Sequence, residues 1–143
     1  MTDAMPLGYW FKVLERLSDE HFLAAIDEHG VTLRQWQLLN ELRGGAKSLD
    51  ELDTVIARVT AALAPDAAPE SSLDNLTELI ESGWVASTAE GYELTDRGIA
   101  ATERLLNVIQ EIENKALIGV DPQTAELLEA TLHHIARNLG YGG

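Results

Sequence analysis

Apolar residues recur at helical spacing along most of this chain, and only one short stretch departs from it toward strand. A first helix is expected over residues 7–29. Trp10, Leu14, Leu17 and Phe22, with Val13 and Ile26 beside them, make two broad apolar stripes, the pattern of a helix packed both on its own core and on a partner chain. Gly30 ends it. Thr32-Leu33-Arg34-Gln35 has the spacing of a capping box, in which two side chains reciprocally satisfy backbone N–H groups at a helix start. The helix it opens turns Leu33, Trp36, Leu39 and Leu42 inward and stops at Gly44-Gly45. Ser48-Leu49-Asp50-Glu51 is a second capping box, followed by the stripe Leu49, Leu52, Val55, Ile56, Val59 and Leu63. Pro65 and Pro69 then impose a loop. A short helix follows over residues 71–82, with Leu73, Leu76, Leu79 and Ile80 on its apolar face and Gly83 behind it. Residues 84–87 and 92–94 flank Thr88-Ala89-Glu90-Gly91 and predict a small hairpin. Thr95 caps a long helix reaching residue 118. Gly119 breaks it, and Asp121-Pro122 opens a last helix with Leu127, Leu128, Leu132, Ile135 and Leu139 inward.

The predicted fold class is therefore mainly α with a small β-hairpin wing. Three helices followed by a hairpin is the plan of a winged helix-turn-helix, in which the helix before the hairpin enters the DNA major groove. The helices that flank this unit carry apolar surface it cannot cover, and a second copy of the chain is the simplest cover. The division expected within residues 1–143 is one domain, with a winged helix over roughly 31–98 and dimerisation helices over roughly 6–29 and 96–139.

Several segments resemble the MarR family of transcriptional regulators. Pro6-Leu7-Gly8-Tyr9-Trp10 resembles the family's opening, and Gly30 to Leu39 (GVTLRQWQLL) resembles its "GLTLRQWxVL" stretch. Leu79 to Val85 (LIESGWV) resembles the "LExxGWV" end of its recognition helix. Tyr92 to Gly98 (YELTDRG) resembles its "xxLTxxG" exit from the wing, and Gly119-Val120-Asp121-Pro122 with Arg137-Asn138-Leu139 its final helix. The resemblance implies a homodimer on double-stranded DNA, with a recognition helix in each major groove. It also implies a small, often aromatic ligand that releases the DNA.

Composition narrows the chemistry. There is no cysteine, which removes disulfides, thiolate metal sites and thiol nucleophiles. The first residues carry neither a basic cluster nor a long apolar run, and no membrane-length apolar stretch occurs, so a cytoplasmic protein is expected. Of the four histidines, His21 and His29 lie about 12 Å apart along one helix, and the adjacent His133 and His134 face different ways, so no pair shares a metal. No metalloprotease, phosphate-loop or nucleophile-elbow motif is present. Neither an enzyme nor a cofactor is expected.

Charge cuts across the resemblance. The net charge is −14, and residues 48–97 hold eleven acids against only Arg58 and Arg97. DNA binding draws on cations that displace condensed counterions, yet the acid is densest where that face should lie. Asp74 and Glu78 stand where family members commonly carry Arg, and the wing tip has no base. Ser71, Ser72, Asn75, Thr77 and Arg97 are the side chains left to contact phosphates or base edges. Ser71 or Ser72 also suits a helix cap, and Asn75 a solvated position. For a ligand, Tyr9, Trp10 and Trp36 lie on the first two helices with Arg16 and His21 as polar companions, although aromatics at helical spacing also suit a core. Two readings stay open. One is a homodimeric DNA-binding regulator. The other is a winged-helix dimer that has given up DNA and uses its acidic face for a protein partner or only binds a ligand.

Overall fold

Two reciprocal caps fix the starts of the second and third helices. Thr32 Oγ1 accepts from Gln35 N while Gln35 Oε1 accepts from Thr32 N, and Ser48 and Glu51 repeat the exchange. The computed structural model describes residues 4–142. Its elements are α1 (Leu7–Glu28), α2 (Leu33–Leu42), α3 (Leu49–Leu63), α4 (Leu73–Glu81), β1 (Val85–Thr88), β2 (Gly91–Leu94), α5 (Asp96–Ala116) and α6 (Pro122–Asn138). This is the expected order, and no helix among the described residues is long and apolar enough to cross a membrane.

Helix α2 is the centre of the fold, packed against α1, α3, α4, α5 and β2. It buries Trp36, Leu38, Leu39 and Leu42 together with Ile26, Leu52, Ile56, Leu76, Leu79, Val85 and Leu105 from the elements around it. Each such side chain contributes about 1.5–3 kcal/mol. The expected inward face of α2 is corrected here. Leu33 is exposed at the outer edge of the first turn, while Leu38, absent from the expected stripe, has no exposure. On α4 only Leu76 and Leu79 are buried, and Leu73 and Ile80 flank them in solvent.

The hairpin pairs Val85 with Leu94, Ala86 with Glu93, Ser87 with Tyr92 and Thr88 with Gly91, so its loop is Ala89-Glu90, two residues shorter than expected. A third backbone segment joins it: Lys47 N donates to Tyr92 O and Tyr92 N to Lys47 O, at 3.0 and 2.8 Å. Gly91 makes this possible, because any Cβ there would press into the Lys47 carbonyl.

Helix α6 buries no residue at all, contrary to the expected inward stripe. Leu127, Leu128, Leu132 and Leu139 are exposed, as are Leu7, Tyr9, Trp10, Leu14 and Leu17 on α1. The flanking helices do carry apolar surface that one chain leaves uncovered.

Candidate nucleic-acid interface

Helix α4 begins where Ser71 Oγ accepts from Leu73 N at 3.2 Å and Asp53 Oδ1, reaching from α3, accepts from Ser72 N at 2.7 Å. The cap therefore comes from Ser71 and from a neighbouring helix. Ser72, expected among the DNA-contacting residues, is turned into the protein with no exposure, and its hydroxyl has no partner there. A buried hydroxyl cannot meet a phosphate, so Ser72 leaves the set.

The other four remain accessible. Ser71 and Thr77 are exposed and Asn75 is half-buried. Thr77 Oγ1 donates to Leu73 O at 2.9 Å, which leaves its lone pairs as acceptors. Arg97 is exposed in the first turn of α5, where its guanidinium lies over Gly83, just past the end of α4. Among the described residues the one ion pair is Arg16–Glu20, so no carboxylate neutralises Arg97. The acids are equally accessible: Asp74, Glu78 and Glu81 on α4, Glu90 at the hairpin tip and Glu93 on β2 are all exposed.

The expected ligand residues separate. Trp36 is 8% exposed and belongs to the core cluster. Tyr9 and Trp10 pack edge to face at 5.3 Å on the exposed side of α1, Arg16 is tied to Glu20 at 2.8 Å, and His21 is exposed. A cavity of about 360 Å³ lies elsewhere, between the end of α2, β2 and the start of α5. Leu42, Arg43, Leu94, Ile99 and Glu103 line it, with Thr102, whose hydroxyl is held by Gly98 O at 2.7 Å. Nothing local marks these residues in the sequence, since the cavity exists only where three elements meet.

No family model matches the sequence, and no curated protein matches it. Solved structures do. The chain is similar to the Mycobacterium tuberculosis MarR family protein Rv2887 in complex with DNA, at 23% identity and a TM-score of 0.69, over 96% of this chain and 100% of that one. It is similar to the reduced form of MarR from E. coli at 19% identity and a TM-score of 0.68, over 93% and 95% of the two chains. The same Mycobacterium tuberculosis protein with salicylic acid matches at 21% identity and a TM-score of 0.67, over 94% and 99%. The architecture is thus a winged helix with flanking helices. More narrowly, it is the fold of MarR-family proteins, matched over nearly the whole chain.

Proposed function

We propose that this chain is a MarR-like transcription regulator acting in the cytoplasm as a homodimer, with the winged helix over roughly residues 31–98 and the flanking helices as the dimerisation unit. In this reading α4 enters the major groove and the hairpin lies against the adjacent backbone. Ser71, Asn75 and Thr77 offer hydrogen bonds to base edges and phosphates, and Arg97 supplies the cation. The observation that carries the proposal is the position of α4, fixed to the core through Leu76 and Leu79 with its opposite face free. It is supported by the fold shared with a protein solved on DNA. A small ligand is proposed for the cavity beside Arg43, because a related fold has been solved with salicylic acid. Tyr9, Trp10, Arg16 and His21 are assigned to the surface that meets the second copy. The test is a footprint on the DNA upstream of the chain's own coding sequence. Two protected half-sites about one helical turn apart are expected. A uniform cleavage pattern at saturating protein would reject the proposal.

A second reading rests on charge. The balance of −9 over residues 48–97 opposes a polyanion and suits a basic protein partner, with the winged helix kept only as a scaffold. It gains if the footprint is empty and a basic polypeptide protects the α4 amides from exchange.

A further inference from the structure

One acid on the α4 face has a partner inside the protein. Gln35 is buried, and its side-chain amide does two things: Oε1 closes the α2 capping box by accepting from Thr32 N at 3.1 Å, and Nε2 donates to Glu78 Oε2 at 2.7 Å. Among the described residues this is the one hydrogen bond between side chains of different elements; the others span three or four positions of a single chain segment. The acceptor is ionic and the donor sits in the rigid first turn of the central helix, the arrangement that makes a hydrogen bond strong and directional. Helix α4 has two further polar ties, Asp53 Oδ1 to Ser72 N before its first turn and Thr95 Oγ1 to Gly83 O just past its last. Gln35–Glu78 is the tie along its length.

We infer that Glu78, held by Gln35, is a positioning residue for α4: it sets the pose of the helix against α2, and this explains a carboxylate on a face where a cation would favour DNA. The inference rests on the reading of α4 as the DNA-contacting helix. The alternative is a bystander acid that only repels phosphate. The two differ in sign for a pair of variants that remove the same charge.

Glu78→Gln keeps an oxygen that can accept from Gln35 Nε2. Glu78→Ala does not, and leaves a buried donor dependent on water. The wild type, both variants and Gln35→Ala are titrated with the upstream DNA, and amide exchange across α4 is followed without DNA. The expected result is that Glu78→Gln binds about two- to threefold tighter than wild type as one repulsive charge per copy disappears. Glu78→Ala should bind at least about fivefold more weakly than Glu78→Gln, the loss expected when one neutral hydrogen bond to a buried donor is removed. Exchange in α4 should quicken in Glu78→Ala and Gln35→Ala but not in Glu78→Gln. Equal affinity and equal exchange in the two Glu78 variants would overturn the inference. If the wild type binds no DNA, the proposed function fails, and the exchange contrast alone still decides whether Glu78 positions α4.

Discussion

Replacing Leu128 and Leu132 together with alanine should disrupt the protein's assembly without disturbing the fold of a single chain. The chain exposes 10155 Å², whereas a compact monomer of 15.6 kDa is expected to expose about 7,300 Å². On the proposed homodimer, burial of this excess of about 2,900 Å² per chain by a second copy would give an interface in the range of obligate homodimers. Leu128 and Leu132, one turn apart on α6, are 48% and 43% exposed, so roughly half of each remains to be covered. Completing that burial contributes about 1 kcal/mol per side chain. A two-fold dimer holds four such side chains and alanine retains part of the contact, so the loss is about 3 kcal/mol. That weakens the dimer about a hundredfold or more, at 1.4 kcal/mol per decade. Sedimentation velocity over a concentration series reads this directly, and the circular dichroism of the variant should keep its helical signature. If α6 faces only water, the same substitutions fall within about ±0.5 kcal/mol. A wild type that sediments as a monomer at micromolar concentration, or a variant with unchanged association, would refute the argument.

Gly98→Ala sets two effects against each other. Helix propensity alone favours alanine by about 1 kcal/mol, but a Cβ at this position would enter the Trp84 carbonyl, whose carbon lies 2.8 Å away, and overpacking against backbone costs about 1–3 kcal/mol. A Tm lowered by several degrees is expected in thermal unfolding, and a raised Tm would show that the contact is absent. Thr95 both accepts from Gly98 N at 3.1 Å and donates to Gly83 O at 2.6 Å, so Thr95→Ala should cost about 1–2 kcal/mol in denaturant unfolding while Thr95→Ser stays near wild type. Arg97→Ala should weaken DNA binding about equally on all sequences and reduce the salt slope by about 2 per dimer, one for each copy. A sequence-dependent loss would instead make Arg97 a reader of bases.

Much of the fold could be read locally, because local interactions fix it. Both capping boxes form from side chains three residues apart, and the helix boundaries they set agree within a residue or two. The inward face of α2 was harder to read, since a helix packed on several sides has no single stripe, and Leu38 is buried as deeply as Leu39. On α6 periodicity marks an apolar stripe but not what covers it, and within the single chain that stripe faces solvent. The two-residue hairpin loop and the Lys47 bridge to Tyr92 follow from how close the α2–α3 connection runs to Gly91, which periodicity does not encode. At the candidate interface, the exposed acids were legible from composition. The inward turn of Ser72, the Asp53 cap on α4 and the Gln35–Glu78 bond join residues 19 and 43 positions apart and required the packed structure.

Whether this acidic winged helix reads DNA is decided by fluorescence anisotropy. The protein is titrated against its own upstream DNA and a scrambled duplex at several salt concentrations. With Arg97 from each of two copies as the main cation at the interface, tight binding to the upstream DNA alone and a log–log salt slope of only about −2 are expected. No binding to either duplex at low salt would contradict this and transfer the acidic face to a basic protein partner.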